Sequence, residues 1–316
     1  MILCRLMTTL LFASATDDAA DWAAPLKEGM PGLDFRVWPD IGDPADIDYA
    51  LVWKPEPGLL ASLPRLKAIF SLGAGVDALL ADPTLPDDVP LVRMVDRGLT
   101  EGMTEWVCTH VLAWHRQTAA YREQQAARLW RPLPEKLARE RRIGILGLGE
   151  LGRDAARMLA ALRFDVAGWS RTPKEIPGVL CLHGPEGLDA LLARSELLVC
   201  LLPLTPATEG ILNAELFAKL PRGAWLINAA RGRHLVEADL LAAIRSGQIA
   251  GATLDVFTTE PLPADHPFWS DPRIVISPHV ASPTLARSAA ARVIEGIRRA
   301  EAGEALQHVV DRRRGY

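Results

Sequence analysis

Cysteine is scarce in this 316-residue chain: Cys4, Cys108, Cys181 and Cys200 lie far apart and form no C-x-x-C pair. Metal-ligand spacing is therefore missing, and no bound metal is expected. A surplus of charge is missing too. Lys and Arg number 35 against 39 Asp and Glu, a formal net charge of −4, with both signs mixed along the chain. A global nucleic-acid binder would be basic, so no nucleic-acid partner is expected. The short "DRRRG" near the C-terminus reads as a solvated tail. Beyond the first fifteen residues no uninterrupted apolar run is long enough to cross a bilayer, so no membrane partner is expected. Repeats and low-complexity tracts are also missing.

The start needs a decision between two readings. "MILCRLMTTLLFASA" has one Arg, an apolar run and an A-x-A-like ending, as a signal peptide would. The charge does not cleanly precede the apolar run, however. "TTLLFAS" also reads as a strand entering the helix "DDAADWAAPLKEG", and that reading holds if the fold needs a first strand. Cys200 sits inside the apolar run "ELLVCLLP", where a buried free thiol fits a reducing compartment. The expected location is the cytoplasm.

What is present is alternation of strands and helices in a chain long enough for two domains. Apolar runs at "TTLLFAS", "FRVWP", "YALVWK", "KAIFSLG" and "PLVRM" are separated by turn or helical segments, a parallel α/β layout. One long helix is predicted over about 101–128, from apolar spacings of three and four. A second α/β run follows: strand 142–147, helix 150–162, strand 164–169, then "ELLVCLLP", "AWLINAA", the helix "EADLLAAIRSG", "AGATLDV" and "IVISP". Gly247 lies where a helix C-cap belongs. Ser282 and Pro283 are placed as N-cap and first turn of a last helix ending near 302. The fold class is therefore α/β, two Rossmann-like parallel-sheet domains separated by a cleft. Residues 1–100 and 284–316 form one domain and 101–283 the other, with a small-molecule site expected in the cleft.

"GLGELG" supplies Gly147, Gly149 and Gly152 in the pattern G-x-G-x-x-G, after a strand and opening a helix. Gly147 can make the tight turn, Gly149 lets backbone approach a pyrophosphate, and Gly152 lets helix pack on strand. Helix N–H groups at Glu150 and Leu151 then face the anion. Such a unit ordinarily ends its second strand with an Asp or Glu for the adenine ribose. Here "GWSRTPK" places Ser170, Arg171, Thr172 and Lys174 instead. Arg171 offers a cation with forked N–H groups suited to a 2′-phosphate. The site is expected to take NADPH, with NADH the weaker alternative.

Three further strand ends carry charged or titratable groups: Arg231 in "INAARGRHL", Glu260 in "DVFTTEPLP" and His279 in "SPHVAS". Ligands of open α/β sheets bind at carboxyl ends of strands. Taken singly, Arg231 reads equally well as a surface cation, Glu260 as a loop acid and His279 as a capping or core histidine.

Together these motifs resemble the D-isomer-specific 2-hydroxyacid dehydrogenase family. The likeness covers essentially the whole chain, through "GILGLGELG", "LLPLTPATEGILN", "LINAARGRHLVEADLLAAI", "GATLDVFTTEPLP" and "SPHVAS". Spacing agrees as well, with 29 residues from Arg231 to Glu260 and 19 from Glu260 to His279. "YALVWKP", "FSLGAGVD", "WSRTPK", "LWRPLPE" and "VDRRRGY" are most similar to its bacterial glyoxylate and hydroxypyruvate reductases.

The resemblance implies a flavodoxin-like substrate domain beside an NAD(P)-binding Rossmann domain, and reduction of a small 2-keto acid. His279 would be the general acid. Glu260 would hold the imidazole and favour its protonated form. Arg231 would grip the substrate carboxylate and polarise the carbonyl. Backbone N–H groups of Gly73, Ala74 and Gly75 would complete that cradle, and Trp53 would wall the pocket. Pro203, Thr205 and Ala229 would line the cofactor. Asp255 would either orient the nicotinamide carboxamide or only end its strand. The 101–128 helix would be either a homodimer element or intrachain packing, and Trp130 would reach a neighbouring subunit's site. Two rivals stay open at this point: another D-2-hydroxyacid dehydrogenase such as a phosphoglycerate dehydrogenase, though the acidic ribose ligand is missing, and a nucleotide-sensing protein resembling a co-repressor.

Overall fold

A computed structural model describes residues 7–316. Cys4 and the opening "MILCRL" of the signal-like reading lie outside the described residues. The chain divides into two compact units. One runs to Leu99 and resumes over Pro283–Tyr316; the other is Thr100–Ser282.

In the first unit β1 (Thr9–Ser14), α1 (Ala19–Gly29), β2 (Asp34–Val37), β3 (Tyr49–Trp53), β4 (Ala68–Ser71), α2 (Asp77–Leu80) and β5 (Leu91–Val92) follow one another. The sheet among the described residues is parallel, in the order β2-β1-β3-β4-β5. β1 is thus an interior strand, and Leu10 and Leu11 within it are fully buried. "TTLLFAS" is sheet core.

α3 (Arg97–His115) leads from the first unit into the second, and α4 (Thr118–Ala126) follows. Then come β6 (Arg142–Leu146), α5 (Glu150–Ala161), β7 (Asp165–Ser170), β8 (Leu180–His183), α6 (Gly184–Arg194) and β9 (Leu197–Cys200). α7 (Ala214–Lys219), β10 (Ala224–Asn228), α8 (Glu237–Ser246), β11 (Ile249–Leu254) and β12 (Ile274–Ile276) complete it. Its described sheet is parallel in the order β12-β11-β10-β9-β6-β7-β8. Successive strand residues point to opposite faces, and both faces are covered. Leu197 and Val199 pack with Val107 and Val111 of α3 and Leu159 of α5. Leu198 and Cys200 pack with Leu191 of α6, Phe217 of α7 and Ile244 of α8. Cys200 is buried there, which pushes its thiol up to about 12. Two-sided burial is why these strands read as continuous apolar runs.

The last helix, α9 (Ala286–Glu301), returns to the first unit and lies along α1. Among the described residues no helix is long and apolar enough to cross a membrane.

Three expectations need correction. The helix foreseen over 101–128 begins earlier, at Arg97, and breaks between α3 and α4. Gln117 there is left-handed, with φ 55°, and its side-chain amide donates to the carbonyl of Pro134 at 2.7 Å. A long-range bond, rather than a Gly or Pro, marks the break. Ser282 and Pro283 do not start α9, which begins at Ala286 after an extended Leu285. The start is set by tertiary contact: Ser288 Oγ donates to Asp96 at 2.7 Å, and the same carboxylate caps α3 through the N–H groups of Gly98 and Leu99. The edge strand β8 was not foreseen. It is half exposed and only four residues long.

Candidate active site

The sheet order of the second unit decides where its loops meet. From β6 the chain adds β7 and β8 on one side, then returns to build β9 through β12 on the other. The carboxyl ends of β6 and β9 therefore flank the topological switch point, where ligands of such sheets bind. The loops after β7, β6, β9, β10, β11 and β12 stand side by side in that order.

The glycine-rich loop follows β6. Gly147 has φ 100°, and a Cβ there would lie 2.7 Å from the carbonyl oxygen of Leu201, so only glycine lets this loop touch the one after β9. A Cβ on Gly152 would lie 1.8 Å from the carbonyl oxygen of Gly147, which seats α5 against its strand. At Gly149 a Cβ would meet nothing within 4 Å. That glycine is exposed, at the head of α5, with Glu150 exposed and Leu151 half-buried beside it.

β7 ends on Ser170, whose hydroxyl donates to the carbonyl of Thr172 at 2.8 Å. Arg171, Thr172 and Lys174 follow, all exposed. No carboxylate stands in "WSRTPK".

After β9 the chain is folded by Thr208, whose hydroxyl donates to the carbonyl of Pro203 at 2.6 Å and accepts the N–H of Thr205 at 2.9 Å. Ala229, after β10, is buried. Next to it Arg231 is half-buried, with Nη1 donating to the carbonyl of Ala230 at 2.8 Å. Asn228, fully buried, donates from Nδ2 to the carbonyl of Arg231 and accepts the N–H of Ala230. Gly232 lies against the next loop, where a Cβ would sit 1.9 Å from the carbonyl carbon of Phe257. The Arg231 and Glu260 loops thus touch backbone to backbone.

The decisive contact joins the last two loops. His279 Nδ1 lies 2.9 Å from Glu260 Oε2, while Glu260 Oε1 accepts the N–H of Phe257 at 3.1 Å. His279 is left-handed, with φ 55°, a conformation that costs a non-glycine residue about 1–3 kcal/mol. Asp255 holds it there. This buried carboxylate accepts from Ser277 Oγ at 2.6 Å and from the N–H groups of Val280 and Ala281, both at 2.9 Å. The imidazole keeps 35% side-chain exposure and Glu260 keeps 27%, so the pair is reachable.

Residues 108–281 match the family described as D-isomer specific 2-hydroxyacid dehydrogenase, NAD binding domain. The chain belongs to the D-isomer-specific 2-hydroxyacid dehydrogenases. Among relatives, it is 46% identical over 312 residues to a glyoxylate/hydroxypyruvate reductase A of Yersinia enterocolitica, covering 97% of this chain and 99% of that one. Among solved structures, it resembles a D-isomer specific 2-hydroxyacid dehydrogenase of Xanthobacter autotrophicus Py2 in complex with NADPH and MES. There the TM-score is 0.95 at 48% identity, covering 98% of this chain and 100% of that one. An NADPH-dependent glyoxylate/hydroxypyruvate reductase of Sinorhizobium meliloti, in complex with NADP and sulfate, gives 0.91 at 44% identity, with 98% and 100% covered.

In this dehydrogenase the glycine loop fits a dinucleotide. Open space at Gly149 admits a close approach to backbone, and the exposed end of β7 carries cations and no carboxylate to repel a phosphate. The remaining predicted residues lie elsewhere. Trp53, Gly73, Ala74 and Gly75 belong to the first unit, where a Cβ on Gly73 would meet the Trp53 ring at 2.4 Å. Ser71 Oγ donates to the carbonyl of Gly73 at 3.0 Å, and the N–H of Met94 donates to it at 3.1 Å. Trp130, between α4 and β6, is 100% exposed. Sequence reasoning passed over Asn228, Thr208, Ser277, Gly232 and His234. The last two adjoin Arg231 in "ARGRH", but Gly232 meets Phe257 and His234 reaches Pro203, 25 and 31 residues distant in sequence, and nothing local announces those contacts.

Proposed function

We propose that this chain is an NADPH-dependent reductase of small 2-keto acids, taking glyoxylate to glycolate and hydroxypyruvate to D-glycerate. One observation carries the reading: the Glu260–His279 pair, at 2.9 Å, stands at strand ends adjoining Arg231 on a sheet with a dinucleotide loop. NADPH, when bound, supplies the hydride. Gly147, Gly149, Glu150, Leu151 and Gly152 would hold its pyrophosphate. Ser170, Arg171, Thr172 and Lys174 would hold its 2′-phosphate, and Pro203, Thr205 and Ala229 would line its other half. NADH is the weaker alternative. Asp255 contributes by holding the 277–281 loop, since its oxygens are occupied by that loop's donors.

Because Nδ1 of His279 is turned to Glu260, Nε2 is the nitrogen that gives a proton to the carbonyl oxygen. Glu260 balances the charge of the imidazolium. Arg231 pairs its fork with the substrate carboxylate. Trp53 and the N–H groups of Gly73–Gly75 are further substrate-binding groups of the first unit. A homodimer through the 101–128 region accounts for a fully exposed Trp130, which would then reach the neighbouring subunit's substrate site. The cytoplasm suits the thiols Cys108, Cys181 and Cys200, none of which is in a disulfide.

A kinetic panel of glyoxylate, hydroxypyruvate and pyruvate with each cofactor tests this. Turnover of the first two with NADPH is expected; none with any keto acid would sink the reading. Glu260→Gln keeps the shape of the pair and removes its charge. One charge-assisted hydrogen bond is worth about 1.5–3 kcal/mol, so kcat should fall about tenfold to a hundredfold while the NADPH Kd holds. An unchanged kcat would count against the pairing.

A further inference from the structure

We infer that His234 is a positioning residue that ties the substrate arginine to the cofactor loop, an inference that rests on the function proposed above. His234 is 0% exposed, just after Arg231. Its Nε2 lies 3.3 Å from the carbonyl oxygen of Pro203, an atom that can only accept, so Nε2 carries the hydrogen. The neutral ring then presents a lone pair at Nδ1, and the N–H of Arg231 donates to it at 3.2 Å. The carbonyl of Arg231, also 3.2 Å from Nδ1, has its own donor in Asn228 Nδ2 at 3.0 Å. One tautomer therefore satisfies all of these groups.

The ring spans the loops that leave two adjacent, paired strands, β9 and β10. Pro203 belongs to the loop after β9, which touches the glycine-rich loop at Leu201 and Gly147 and is knotted by Thr208. Arg231 belongs to the loop after β10, which touches the Glu260 loop at Gly232. The backbone of His234 adds a third tie, its carbonyl accepting the N–H of Leu212 at 2.9 Å. Beyond the pairing of the strands, the imidazole thus ties the loop of the group that grips the keto acid to the loop that lines the cofactor.

The two nitrogens can be replaced one at a time. In His234→Asn the amide oxygen falls near Nδ1 and keeps the Arg231 arm; in His234→Gln the amide nitrogen falls near Nε2 and keeps the Pro203 arm; His234→Leu keeps neither. NADPH Kd by calorimetry, keto-acid KM and kcat, and Tm are measured for each. In the Leu variant KM and Kd should each rise about tenfold, the worth of one buried hydrogen bond. Asn should restore KM and leave Kd raised, and Gln the reverse. If the Leu variant fails to fold, the Asn–Gln contrast decides alone. Unchanged KM and Kd in Asn and Gln, or parallel rises that follow Tm with no split between them, would overturn the assignment. Calorimetry needs no turnover. A wild-type protein that binds NADPH but reduces no keto acid would overturn the functional reading and leave the Pro203 arm to be judged on Kd.

Discussion

His279→Ala is expected to lower kcat with hydroxypyruvate by about 10²–10⁴-fold, the usual worth of a positioned general acid. The NADPH Kd should hold, because the imidazole projects from the β12 end of the sheet while the glycine-rich loop follows β6. Stability should change little or even rise. The side chain is lost from a left-handed residue, yet the loop stays fixed by Asp255 through Ser277, Val280 and Ala281. Steady-state kinetics beside a calorimetric titration separates these effects. A variant with near-full kcat would remove His279 from the chemistry; one that lost NADPH binding in parallel would make it a structural residue of the loop.

Arg171→Ala should raise the KM for NADPH about tenfold to a hundredfold and leave that for NADH nearly unchanged. The estimate comes from one charge-assisted hydrogen bond to phosphate, about 1.5–3 kcal/mol. Arg171 is exposed at the end of β7, and the Ser170 hydroxyl is engaged by the carbonyl of Thr172. Its forked N–H groups suit the geometry of a 2′-phosphate. Comparing both cofactors in wild type and variant is the check. Equal losses for the two, or a wild type that prefers NADH, would reject this reading of "WSRTPK".

Why some of this was legible and some not follows from the range of the interactions. The strands could be read because a parallel sheet buried on both faces demands continuous apolar runs, as Leu197–Cys200 shows. The glycine-rich loop could be read because part of its constraint is local: Gly147 and Gly152 are five residues apart and meet each other, while the contact of Gly147 with Leu201 is distant in sequence. The break at Gln117 and the late start of α9 at Ala286 could not. Both are set by partners distant in sequence, the Pro134 carbonyl and the Asp96 carboxylate. In the site, strand-end placement draws attention to Arg231, Glu260 and His279. Nothing in spacing says that Gly232 must be bare to admit the backbone of Phe257, or that His234 is buried between two loops.

The order of the strands has a consequence for how such a protein can change. β7 and β12 are at opposite sides of the switch point, with β6, β9, β10 and β11 between them. At ~4.8 Å per strand, the Arg171 end and the His279 end are about 24 Å apart, some three screening lengths at physiological ionic strength. Charge altered at one end is scarcely felt at the other. The choice of cofactor proposed for the Arg171 end and the acid chemistry proposed for the His279 end are therefore separable inheritances. A lineage can exchange the first by rewriting one surface loop, while the second stays bound into a chain of backbone contacts that tolerates little revision.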